Sequence, residues 1–163
     1  MIQLTIDGKS IRTPEGRSLL EACRENYIHI PTLCYHPAIQ PYGACRLCMV
    51  EIRQGDRPSR LVASCTYPCE EGLQVQTGSP AVLKSRRITA ELLMAGAWNS
   101  PEIQALAESL GVQDVRYHLP QEELCVVCGL CVRACKEIVG VQAITRQEIL
   151  KEEQEPVRPP GES

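Results

Sequence analysis

Eight of the ten cysteines in this 163-residue chain fall into two spaced sets. Cys34, Cys45, Cys48 and Cys65 read C-x10-C-x2-C-x16-C, while Cys125, Cys128, Cys131 and Cys135 read C-x2-C-x2-C-x3-C. Thiolates grouped in this way are metal or cluster ligands, or they are disulfides. The opening MIQLTIDGKS has no basic start, no apolar run and no small-residue cleavage site, so no export signal is read there. The chain is therefore expected in the cytoplasm, a reducing compartment where clustered cysteines serve as ligands rather than as disulfides.

The spacing narrows the chemistry. A plant-type [2Fe–2S] site uses C-x4-C-x2-C and a distant fourth cysteine. The first set keeps the tight pair and the remote fourth member but lengthens the first gap. Gly43 and Ala44 suit a loop in which main-chain N–H groups approach a cluster closely. Arg46, inside the C-x2-C turn, adds positive charge and is read as facing solvent. Zinc accepts four thiolates, but this spacing is not that of paired zinc knuckles. A Rieske centre needs a second histidine near Cys48, and none is present, so His36 is read as a local hydrogen-bonding residue.

The second set is the bacterial-ferredoxin run for a [4Fe–4S] cube, with Gly129 letting the loop wrap it. In two-cluster ferredoxins the fourth cysteine of such a run serves the other cube, and no second run exists here. Cys135 therefore completes its own cube, serves a partner's cluster, or stands aside while Cys69 or Cys23 closes the site. Cys135 is the favoured ligand. Cys23 reads as a small buried hydrophobe on a helix and Cys69 as a loop thiol.

The elements that must position these residues follow from pattern. Ile2, Leu4 and Ile6 alternate with polar residues, Asp7-Gly8 is a turn, and Lys9 to Thr13 forms a second strand, which makes a hairpin. Ser18 caps a helix whose stripe is Leu19, Leu20, Cys23 and Tyr27. Strands are expected at Met49 to Ile52, Arg60 to Ser64 and Leu73 to Gln76. Two helices follow. The first carries a small-residue face of Ala81, Ser85, Ile88, Leu92 and Ala95, with Lys84, Arg86 and Arg87 on its other sides. The second starts at Ser100-Pro101-Glu102, buries Ile103, Leu106, Ala107 and Leu110, and stops at Gly111. This order predicts an α+β chain: a β-grasp, ferredoxin-like [2Fe–2S] domain over 1–78, a helical linker over 79–118, a small [4Fe–4S] ferredoxin-like segment over 119–150, and a charged tail over 151–163 that is disordered or partner-bound.

LLEACRENYIHIPTLCYHPAIQPYGACRLCMVEI, followed by VASCTYPCEEGLQVQT, resembles the N-terminal [2Fe–2S] domain of the large iron–sulfur subunit of respiratory complex I. It is similar also to that domain in NAD-linked hydrogenases and formate dehydrogenases. CVVCGLCVRACKEIVGVQAI is similar to the cubane motif of the electron-transfer (diaphorase small or gamma) subunits of those hydrogenases. Relatives of this kind carry a middle cluster held by one histidine and three cysteines. Between Leu92 and Leu124 this chain has no cysteine, and His118 does not match that spacing.

What the resemblance implies is a non-catalytic relay with one [2Fe–2S] and one [4Fe–4S] cluster, carrying single electrons between a flavoprotein that oxidises NAD(P)H and a further redox subunit. FAD or FMN and NAD(P) would sit on partners, since no GxGxxG fingerprint, no P-loop and no nucleophile–base constellation is present. The formal net charge of −3 gives no reason to expect nucleic acid, and no apolar run is long enough to enter a membrane. A freestanding ferredoxin-like carrier is the alternative, and a zinc-stabilised adaptor the third.

Overall fold

The computed structural model describes residues 1–113, 115 and 125–144. His118, the expected boundary at 118/119 and the expected tail at 151–163 lie outside the described residues. Strands β1 (Ile2–Ile6) and β2 (Lys9–Thr13) form the expected antiparallel hairpin, with Ile2 opposite Thr13 and Ile6 opposite Lys9. Its two turn residues, Asp7 and Gly8, both have positive φ (49° and 79°), the backbone that matches the twist of the flanking strands. The Asp7 carboxylate also accepts from the N–H and hydroxyl of Thr77, at 2.8 and 2.6 Å, which ties the hairpin to the end of the sheet's last strand.

A second antiparallel hairpin pairs β3 (Met49–Arg53) with β4 (Arg60–Ala63). The short β5 (Gln74–Gln76) joins the two, parallel to β1 and antiparallel to β3, so the mixed sheet runs β2-β1-β5-β3-β4. The side-chain period of two turns Leu4, Ile6, Ile11, Val50, Ile52 and Val75 to one face.

Helix α1 (Leu19–Glu25) adds Leu19, Leu20, Ala22 and Cys23 to the same buried cluster. Its orphan donors are all accounted for. Leu19 and Leu20 N–H donate to the carbonyls of Tyr67 and Ser64, and Ser18 with Glu21 forms a reciprocal capping box. The helix is shorter than its stripe suggested. Tyr27 lies beyond the Asn26 cap with φ 58° and is 98% exposed, because Tyr27 and Ile28 N–H fold back onto the Arg24 and Cys23 carbonyls.

Helices α2 (Pro80–Gly96) and α3 (Pro101–Ser109) each begin with a serine cap and a proline. In α3 the expected stripe holds for Ile103 and Ala107, which are buried, with Leu106 and Leu110 half-buried; Gly111 follows at φ 72°. In α2 it holds for Ala95 alone, with Ser85 half-buried. The inward residues are Val82, Arg86, Ala90 and Ala95, while Ile88 and Leu92 are exposed. An apolar-periodicity reading rotated the helix because it placed Arg86 outside. Helix α4 (Leu130–Glu137) carries Cys131 and Cys135. Among the described residues no helix is long and apolar enough to cross a membrane.

The capping box makes a pH-dependent contribution. The Ser18 main-chain N–H bonds the Glu21 carboxylate at 2.8 Å and holds its pKa below the ordinary 4.5. A depressed carboxylate stabilises the fold above its unfolded pKa and loses that effect as pH falls through the native value. Glu21→Ala is expected to lower Tm at pH 7, and thermal melts should show the gap to the unsubstituted chain closing as pH drops below 4.5.

Candidate metal centre

The first cysteine set is gathered by the open end of the β3–β4 hairpin. The ladder ends with Met49 opposite Ala63, so the next residues, Cys48 and Ser64, face each other and Cys65 follows at once. Ser64 N–H and Oγ both reach the Cys48 carbonyl, at 3.1 and 2.8 Å. Cys34 and Cys45 arrive on the long loop between α1 and β3, with Cys34, Cys48 and Cys65 buried and Cys45 half-buried.

The four thiols meet as two pairs. Cys45 N–H donates to the Cys34 sulfur at 3.4 Å, and a hydrogen bond from the Cys45 thiol brings the Cys34 pKa down to about 5 while Cys45 is pushed up. In the same way the Cys65 thiol brings Cys48 down to about 6 and is itself pushed up. In each pair the shared hydrogen bond favours ionisation of one sulfur, Cys34 or Cys48, over the other. The pairs also sense each other: charge on Cys34 raises both Cys48 and Cys65. Among the described residues, no group of three or more His, Cys, Asp or Glu side chains is placed to hold a single metal ion. Two pairs of sulfurs in mutual reach fit a binuclear [2Fe–2S] group, whose two irons each take two protein ligands.

The loop's main chain is held from two helices. Arg86 of α2 donates to the carbonyls of Leu47 (3.1 Å) and Met49 (2.8 Å), the residues flanking Cys48. Arg133 of α4 donates to the carbonyls of Gln40 (2.7 Å) and Cys34, and its guanidinium lies 5.3 Å from the centre of the Tyr42 ring. Gln40 N–H returns a bond to Glu137 at 2.7 Å. Gly43 closes the loop at φ 68°, buried, and a Cβ there would stand 3.2 Å from Thr66 Cγ2. Arg46 is exposed at φ 58°, and the His36 ring accepts locally from Ala38 N–H at 3.2 Å.

The second set is not gathered in this way. Cys125 and Cys131 are exposed, Cys128 and Cys135 half-buried, and the Cys135 thiol donates to the Val141 carbonyl at 2.8 Å. Gly129, at φ 71°, turns the Cys125–Cys128 loop into the start of α4. A cavity of about 310 Å³ separates the two sets, lined by Cys45 and Arg46 on one side and by Leu92, Val127 and Cys128 on the other. Cys23 and Cys69 belong to the core of the sheet and α1, where desolvation pushes their thiols up to about 12 and about 11. Neither stands in the loops that carry the second set.

Arg86 and Arg133 escaped the reading of the sequence. Arg133 had a local signal, a cation set between two candidate ligands; Arg86 had none, since a charged residue on an amphipathic helix is ordinarily its wet side.

Gly43→Ala should cost about 1–2 kcal/mol for the left-handed backbone plus the displacement of Thr66. Gly8→Ala, where nothing lies within 4 Å of a Cβ, should cost the backbone share alone. Chemical denaturation of both variants measures the difference.

The profile of the 2Fe-2S iron–sulfur cluster binding domain matches residues 1–80. An NADH-quinone oxidoreductase subunit from Rickettsia prowazekii (strain Madrid E) is 30% identical over 171 residues, which cover 88% of this chain and 24% of that protein. The alpha subunit of the NADPH-Fe(3+) oxidoreductase of Geobacter sulfurreducens (strain DL-1 / KN400) is 33% identical over 168 residues, or 88% and 20%. This chain thus spans about a quarter or less of the length of these curated relatives. A chain in the crystal structure of NAD+-reducing [NiFe]-hydrogenase in the H2-reduced state superposes with a TM-score of 0.74 at 32% identity, over 88% of this chain and 69% of that one. With a mixed sheet and helices of the ferredoxin-like kind in its N-terminal half, the chain belongs to the family of iron–sulfur proteins built on this 2Fe-2S cluster binding domain.

Proposed function

We propose that this chain is an iron–sulfur electron-transfer subunit of an NAD(P)-linked oxidoreductase complex, working in the cytoplasm. Cys34 and Cys45 would hold one iron of a [2Fe–2S] cluster and Cys48 and Cys65 the other. Cys125, Cys128, Cys131 and Cys135 would hold a [4Fe–4S] cluster. The observation that carries the reading is the double pairing of the first four thiols inside a matched 2Fe-2S domain. Bound clusters supply reversible one-electron chemistry. The chain's own part is to deliver thiolates, to aim main-chain N–H groups at their sulfurs, and to keep water from the buried Cys34, Cys48 and Cys65.

The relatives' names, an NADH-quinone and an NADPH-Fe(3+) oxidoreductase and an NAD+-reducing hydrogenase, support a nicotinamide-linked complex. The partners would be a flavoprotein that exchanges hydride with NAD(P) on its own FAD or FMN, and a further redox subunit. Within the chain, 1–78 would be the [2Fe–2S] domain, 79–118 the linker, 119–150 the [4Fe–4S] segment and 151–163 a tail, disordered or partner-bound. Ile88 and Leu92, exposed on α2, favour a docked subunit over a freestanding carrier, since a neighbour would cover them.

Anaerobic purification should yield a brown chain with about six irons, the sum of one [2Fe–2S] and one [4Fe–4S] cluster, and two distinct EPR signals on reduction. Cys34→Ser or Cys65→Ser should remove one signal, and Cys128→Ser the other. Co-purifying flavoprotein supports the subunit reading. A colourless chain containing zinc overturns it, and a loaded chain that remains monomeric in its native extract favours the carrier.

A further inference from the structure

Among the described residues, Arg86 is the only Lys, Arg, Asp or Glu side chain that is buried, at 5% exposure. A guanidinium taken out of water is costly unless an anion and good hydrogen-bond geometry repay the loss. Hydrogen bonds are present, to the Leu47 and Met49 carbonyls. A carboxylate is not: among the described residues the ion pairs belong to Arg17. The ionisable groups that act on Arg86 are the thiols of Cys48 and Cys23 and the carboxylate of Asp7. Asp7 is already bonded to Thr77 at the exposed end of the sheet, and burial keeps the Cys23 thiol protonated. That leaves Cys48 and the site it belongs to.

We propose that Arg86 is the fixed counter-charge of the [2Fe–2S] site, raising its reduction potential as well as clamping the main chain on both sides of Cys48. The inference rests on the ligand set proposed above. Four thiolates, two sulfides and two ferric ions sum to a dianion, and one electron from an external donor makes a trianion, with no bond formed and no proton required. A permanent cation in the same low-dielectric surroundings favours the more negative state. Because Arg86 reaches the site through carbonyls and not through a ligand, its charge and its clamp can be separated by substitution.

The test is an EPR-monitored redox titration of the full chain, purified anaerobically, with dithionite as reductant. Arg86→Gln and Arg86→Met remove the charge; Arg86→Lys keeps it and gives up the two-pronged grip. Expected for either neutral variant that retains iron is at least a tenfold lower reduced-to-oxidised ratio of the [2Fe–2S] signal at a fixed ambient potential, a negative shift of about 59 mV for one electron. Arg86→Lys is expected to melt at a lower temperature yet keep a potential near that of the unsubstituted chain. A loaded neutral variant at the original potential overturns the counter-charge, as does a lysine variant shifted as far as the neutral ones. An unsubstituted chain that holds no [2Fe–2S] signal overturns the ligand set itself, a failure that iron content reveals before any variant is made.

Discussion

Crowding four sulfurs into one buried place is the condition on which the rest of this structure depends. Thiolates repel one another as they ionise, and removal from water penalises each negative charge further. The molecule eases this by pairing: hydrogen bonds with Cys45 and Cys65 lower the pKa of Cys34 and Cys48. Main-chain N–H groups add to the effect, as at Cys34. Geometry of this kind needs a backbone that cannot drift, and much of the surrounding architecture serves that end.

The sheet provides the fixed frame. The β3–β4 ladder delivers Cys48 and Cys65 from its open end, and Ser64 locks the Cys48 carbonyl. The residues on both sides of Cys65 are bound in turn to the N-terminus of α1 through the Ser64 and Tyr67 carbonyls. The other two sulfurs lie on a loop with no ladder of its own, so its carbonyls are taken up by side chains from outside the sheet. Arg133 on α4 does this at Cys34 and Gln40, and Arg86 on α2 takes the carbonyls on both sides of Cys48. Helices that read as a mere linker and as a separate cysteine segment are therefore part of the first site's support. Arg133 stands between Cys131 and Cys135, so the two cysteine sets are mechanically joined through one side chain.

Much of the fold was legible because it is written in local patterns. Alternation in Ile2 to Ile6, the Asp7-Gly8 turn, the Ser18 and Ser100 caps and the Gly111 stop each act within a few residues, and each appears where its pattern put it. The misreadings have a common cause. Tyr27 continued a helical spacing, but the chain had already turned at Asn26. On α2 an apolar stripe through Ile88 and Leu92 competed with a narrower inward face that includes an arginine. Hydrophobic periodicity has no means of recognising a cation that is buried for the sake of carbonyls 37 and 39 residues away.

The sequence alone determined the ligand chemistry on offer, through cysteine spacing, and the positions of turns and caps, because those depend on neighbours along the chain. Only the tertiary structure decided which thiol pairs with which, that β5 lies between β1 and β3, and that Arg86 and Arg133 point at the cysteine loop. Those outcomes join groups as far as 99 residues apart. Such contacts form only where the whole fold closes on them, since an isolated segment has neither the buried surface nor the partner to specify them.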